Sequence, residues 1–360
     1  MSRHDQSFRL IDSVYGLQFI RMTNVAFRHS LYRSALFSAC SLFYMKKLLF
    51  SVVGVLLLSV ANAAEPIEFG DFESWMTRHI HESPLLGGAK KTVYAVAPER
   101  TVEGNHPYCG KDETPWATSN VMANVCGVIK TSNTVYPEVR EDGGLCACMK
   151  TVLEECRVLG VVNLKVLVSG TVYLGYVLEP IRSTNDPYSK MEMGIPFDRR
   201  PTNLVYDYKV KASENDYRTF SNGFSPMKQV PGRDSAEVYV FLQHRWEDAD
   251  GNVYAKRVGT GRERYWESTD GWVNGHRLPI YYGDITGEAY YQPYMDLLPE
   301  DKWPYTTNSR GRRVKVQEIG WADPDEPVTH MMLMASAACG TAFIGSIGNT
   351  FWIDNVALEY

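Results

Sequence analysis

Residues 236–243 read Ala-Glu-Val-Tyr-Val-Phe-Leu-Gln. Ala236, Val238, Val240 and Leu242 alternate with Glu237, Tyr239, Phe241 and Gln243. A period of two marks a strand that turns one face to a core. The same signature recurs outward in both directions. Val162, Leu164, Val166 and Val168 alternate with other residues before GTVYLGYVLEP begins at Gly170, and further strand-like runs occupy 203–210, 278–282, 313–319, 330–335 and 350–360. Turn chemistry separates them: Pro231-Gly232-Arg233-Asp234, Asp250-Gly251-Asn252 and Asp323-Pro324-Asp325. Long helical periodicity is nearly absent after residue 64, and no internal repeat is visible. Many short strands joined by turns predict an all-β fold, a jelly-roll β-sandwich. Residues 83–150 show no clean alternation and are rich in Gly and Cys. They read as an irregular, Cys-rich N-terminal section of one domain over 64–360, since no linker composition sets them apart.

The first 63 residues read differently. Met45-Lys46-Lys47 is a short basic start, Leu48 to Val60 is uncharged and largely apolar, and Ala61-Asn62-Ala63 places small residues where a signal peptidase cuts. Residues 45–63 therefore read as a cleaved secretory signal peptide. The apolar run is shorter than the ~20 residues that span a bilayer as a helix, so no transmembrane anchor is expected. Residues 1–44 then read as an over-extended N-terminus.

Residues 1–63 hold seven of the 37 Lys and Arg but two of the 42 Asp and Glu. Their removal leaves a formal net charge of −10, which argues against nucleic acid as a partner. All eight Trp lie beyond residue 63. Six Cys also lie there, at 109, 126, 146, 148, 156 and 339. In an exported chain an even count permits disulfides, with the pairing open.

Five blocks carry a resemblance: GTVYLGY (170–176), GIPFDRRPTNLVYDYKV (194–210), AKRVGTGRERYWESTDGW (255–272), LPIYYGDIT (278–286) and GSIGNTFWIDNVALEY (345–360). As a set, over about 110–360, they resemble the carbohydrate metabolism domain family PCMD of exported Gram-negative proteins. The resemblance implies a jelly roll similar to carbohydrate-binding modules. It also implies a structural calcium ion between the paired termini, held by Glu73 and Asp354 with Asp71 as a third ligand, because calcium takes six to eight oxygens. Asp248 to Asn252 opens like a calcium loop, but Gly259 stands where the loop needs Glu, so it reads as a hairpin turn.

Flat aromatic rings stack on the apolar faces of sugars. Trp266 and Trp272 stand out, with Glu267 and Asp270 among the polar residues around them, and Trp116 lies in a polar stretch that favours exposure. These five residues are the candidate ligand-binding set. Glu179, Glu267, Asp284 and Glu318 are nominal acids for glycoside hydrolysis, but among so many acidic residues such pairs carry little weight. No nucleophile elbow, zinc-protease motif, phosphate loop or dinucleotide fingerprint occurs. The leading expectation is a non-catalytic protein binding a poly- or oligosaccharide in the periplasm or at the cell surface. A glycoside hydrolase, or a structural or adhesive protein docking partners by strand exchange, are the alternatives.

Overall fold

The computed structural model describes residues 64–158, 162–182 and 187–360. The signal-peptide reading of 45–63 and the stretch 1–44 lie outside the described residues. Among the described residues, regular structure is almost entirely strand, broken by short 3-10 turns. No helix there is long and apolar enough to cross a membrane.

Ten strands set the frame: β1 (Leu145–Val158), β2 (Val162–Ser169), β3 (Thr171–Val177), β4 (Asn203–Lys211), β5 (Ala236–Glu247), β6 (Val253–Tyr265), β7 (Val273–Pro279), β8 (Arg313–Trp321), β9 (His330–Ser336) and β10 (Thr350–Glu359). One sheet runs β2-β1-β10-β4-β7, with Glu65–Pro66 pairing β10 and Val135–Val139 pairing β1. The C-terminal strand is thus central, and the first described strand lies beside it. The second sheet runs β9-β5-β6-β8, continues through Tyr305–Thr307 and Met191–Met193 to β3, and ends at Trp116–Thr118. β3 also pairs β9, Thr171 opposite Ser336, so this pairing path closes on itself.

The two sheets share one apolar core. Leu204, Tyr206, Phe351 and Ile353 come from the first sheet, and Val172, Leu174, Val238, Val240, Leu242 and Leu333 from the second. That is a β-sandwich, with the inward-facing residues of both sheets filling the space between them. The Asp248–Asn252 segment is the β5–β6 turn, Asp248 Oδ1 accepting the Asp250 and Asn252 N–H groups.

Two expectations change. Residues 83–150 are not irregular. Lys90–Val96 and Arg100–Glu103 flank Trp75–His81 in a three-stranded sheet, and Val121–Val125 pairs Val128–Ser132. The alternation was obscured because the strands lying wholly within 83–150 are short, three to seven residues each. Arg78 lies between buried Met76 and Ile80 and is neutralised by buried Glu179, Nη2 to Oε2 2.5 Å. The disulfide expectation also falls for the described thiols: Cys109, Cys126, Cys146, Cys148 and Cys339 are unbridged. Cys146 and Cys148 are buried two positions apart on β1. Residues i and i+2 of a strand are roughly 6.8 Å apart, at the far limit of disulfide geometry. Burial pushes the Cys146 thiol up to about 12. The side chain of Cys156 lies outside the described ones.

Candidate functional site

The residues of β5 that do not face the shared core still do not face water. Glu237, Tyr239, Phe241, Gln243 and Arg245 are all buried, as are Arg257 and Arg262 on β6 and Met332 and Ser336 on β9. The segment 293–304 covers this row. Its Leu298 and Trp303 pack against Tyr239, Phe241 and Met332. One hydrogen bond braces the cover internally and two pin it to the sheet. Trp303 Nε1 donates to Leu298 O at 3.0 Å, the Leu298 N–H donates to Glu318 Oε2 at 2.7 Å, and Arg262 Nη1 donates to Tyr294 O at 2.5 Å.

Two charged clusters lie under that cover. In the first, Arg257 grips Glu318 bidentately, Nε to Oε1 at 2.7 Å and Nη2 to Oε2 at 2.6 Å, with neither side chain reaching solvent. Gln243 Nε2 donates to Glu318 Oε1 and Arg245 Nε donates to Gln243 Oε1, both at 2.8 Å. Burial raises the Glu318 carboxyl, but the Arg257 charge and these donors outweigh it and hold the group below its ordinary range. Burial pulls Arg245 down to about 10, and burial with the nearby Arg245 charge pulls His330 down to about 4. In the second cluster Glu237 Oε2 accepts from Arg262 Nη2 at 2.8 Å and from Arg262 Nε and Arg264 Nε at 3.2 Å. Tyr239 and Phe241 bridge the clusters, stacked at 4.3 Å with 9° between planes, and the Arg257 guanidinium lies 3.5 Å from the Phe241 centroid.

Above the second cluster the cover leaves a cleft of about 250 Å³. Tyr188, Tyr239, Trp303 and Phe343 supply its aromatic surface, Ser119, Ser169, Thr171 and Ser336 its hydroxyls, and Glu237, Arg262 and Lys302 its charges. Phe343 adopts a φ of +66°, a left-handed conformation costly for a bulky residue. Such outliers concentrate at functional sites. Aromatic faces beside hydroxyls and guanidinium donors can hold a sugar by stacking and by hydrogen bonds to its hydroxyls. The same cleft is poorly suited to hydrolysis. Glu237, the carboxylate in its lining, is committed to three N–H donors, whereas glycoside hydrolysis needs one carboxylic acid free to give a proton.

The residues singled out from the sequence scatter. Trp116 is a correction: it is 2% exposed, packs on Phe72 in the shared core, and donates Nε1 to Glu68 O at 2.8 Å. Its polar flanks misled because they belong to loop ends around a three-residue strand, Trp116–Thr118, whose residues are all buried. Trp266 is 38% exposed, against Tyr294, and continues the β6 row of Arg262 and Arg264 towards the cleft side. Trp272 is half-buried elsewhere, under the Arg140 guanidinium at 4.1 Å. The two Trp therefore do not form one platform. Glu267 and Asp270 are exposed in the turn between them.

The calcium trio does not converge. Arg140 Nη1 lies 2.6 Å from Asp354 Oδ2 and 2.9 Å from Asp207 Oδ2, so a guanidinium already sits where the cation was expected. Glu73 Oε1 accepts the Leu145 N–H, Asp71 is exposed, and no group of three or more His, Cys, Asp or Glu is gathered for a metal among the described residues. These residues do not fit a calcium ion. Of the nominal catalytic acids, Glu179, Asp284 and Glu318 are occupied, while Glu267 is exposed away from them in its turn. Glu179 binds Arg78 and the N–H groups of Tyr108 and Met122, and Asp284 caps its own turn through Thr286.

Tyr188, Tyr239, Arg262 and Lys302 were not anticipated. The alternation of β5 did contain the signal, because two of its non-core positions are the large aromatics Tyr239 and Phe241.

Residues 71–263 match the sequence model of the family described as "Putative carbohydrate metabolism domain", PCMD. The chain belongs to this family. The matched stretch begins before the resembling region read from the sequence and holds β5 and most of β6, including Glu237, Tyr239 and Arg262 of the cleft. Trp303 and Lys302 lie beyond it. Among solved structures, a "putative glycoside hydrolase" from Bacteroides thetaiotaomicron is 19% identical, with 83% of this chain and 71% of that one covered at a TM-score of 0.42. Another so titled, from Bacteroides vulgatus, is 16% identical, with 82% and 98% covered at 0.41. At these scores neither supports an argument about the chemistry of this PCMD member. No curated protein matches.

Proposed function

We propose that this protein is an exported, non-catalytic carbohydrate-binding sandwich whose cleft between β5, β6, β9 and the segment 293–304 seats a sugar residue of a poly- or oligosaccharide. The observation that carries this is the joining of Tyr188, Tyr239, Trp303 and Phe343 with hydroxyls and a guanidinium around one cleft. Membership of a carbohydrate-related family supports the ligand class. Commitment of Glu237 and Glu318 to arginines supports binding over hydrolysis. Export rests on the basic start, apolar run and Ala-Asn-Ala of 45–63.

Calorimetric titration of the purified protein with an oligosaccharide panel tests the reading. Trp303→Ala should weaken the bound sugar at least about thirtyfold, as removal of a central aromatic anchor does. Failure of the whole panel to bind, or release of new reducing ends from it, sinks the proposal.

A further inference from the structure

Residues 64–360 carry a formal net charge of −10, yet the cleft does not share it. Its lining includes one carboxylate, Glu237, against Arg262 and Lys302. Glu237 is further neutralised from outside the lining by Arg264, so two guanidiniums stand on one carboxylate. Lys302 has no hydrogen-bond or ion-pair partner for its ammonium among the described residues, and it is half-buried at the end of the 3-10 turn Glu300–Lys302. Two more carboxylates stand behind the wall, each held there. Asp234 accepts the N–H groups of Cys339 and Ser346, and Glu154 accepts Ser132 Oγ and the Asn133 N–H.

A cation left unpaired in a partly desolvated cleft of an acidic protein has a physical meaning. A neutral sugar gives it only hydroxyl oxygens, whereas an anionic group gives it a charge-assisted bond in a setting that screens poorly. The acidic remainder of the surface would repel such a ligand, so the positive lining must act locally. Resting on the saccharide reading of the cleft, we infer that its ligand is an acidic saccharide, bearing a carboxylate or sulfate ester, and that Lys302 selects the charge. Arg262, already fixed by Glu237 and Tyr294 O, sets the position against which that charge is read.

Calorimetric titration of the whole protein tests this with matched probes. Oligogalacturonate, oligoglucuronate and oligomannuronate are each compared with their methyl esters, and a sulfated oligosaccharide with its desulfated form. At least one anion should bind tenfold or more tighter than its neutral partner, and its affinity should fall severalfold between 50 and 200 mM salt. Lys302→Gln should cut the affinity for that anion roughly tenfold, the scale of one charge-assisted hydrogen bond, and shrink the ratio of anionic to neutral affinity accordingly. Which arm responds separates carboxylate from sulfate. Equal or tighter binding of the neutral forms, or an anion preference untouched by Lys302→Gln in a variant that melts normally, overturns the inference and leaves the saccharide reading standing. No binding by any probe, charged or neutral, overturns both.

Discussion

Strand β5 has two buried faces of opposite chemistry. On one, Val238, Val240 and Leu242 meet Leu204, Phe351 and Ile353 of the other sheet in a core without charges at those positions. On the other, Glu237, Tyr239, Phe241, Gln243 and Arg245 are equally enclosed, but by the 293–304 cover and by paired charges. The first face gains by removing apolar area from water, and its details are interchangeable within volume limits. The second is held by partners that must all be present, since each buried charge is tolerated only while its counter-charge and donors remain. An apolar face makes the sandwich stable, and a polar, covered face makes a site.

The sharpest way to break this contrast is Glu318→Ala. It strands the Arg257 guanidinium, so urea unfolding should lose about 3–5 kcal/mol, whereas Glu318→Leu combined with Arg257→Met should recover most of it. A loss under about 1 kcal/mol for the single change would mean that the second face is wet. On the first face, Leu242→Ala should cost about 3–4 kcal/mol by leaving a cavity, measured in the same way, with no companion substitution at a charged site able to rescue it.

A smaller effect comes from pH. His330, on β9 beside Gln243 of β5, is held neutral down to about 4 by burial and by the Arg245 charge, against 6.5 when free. Above 6.5 both folded and unfolded chains carry it neutral, so it contributes no pH dependence there. As pH falls from 6.5 towards 4 the unfolded chain takes up a proton that the folded one refuses, and stability drops by at most about 2–3 kcal/mol. His330→Gln should flatten the slope of melting temperature in that window; an unchanged slope would place the titration elsewhere.

The period-two runs at 236–243, 203–210 and 350–360 were legible because strand geometry writes itself on each residue in turn. The Asp248–Asn252 turn was legible for the same local reason. Trp116 was not. Its neighbours in sequence are polar, but its neighbours in space are Phe72 and the shared core. Trp266 and Trp272 are six residues apart, yet one lies against Tyr294 and the other under Arg140. The Glu73, Asp71 and Asp354 trio failed for a cause no local pattern holds: Arg140 reaches across 214 positions to occupy Asp354.

The sequence by itself determined that this chain is a β-sandwich of acidic character, because alternation, turn residues and composition are local properties. Only the tertiary structure decided which polar row would be sealed under a cover and which left to water. That choice depends on where residues 293–304 return over β5 and β6, and on Arg–Glu pairs that meet across 25 and 61 positions.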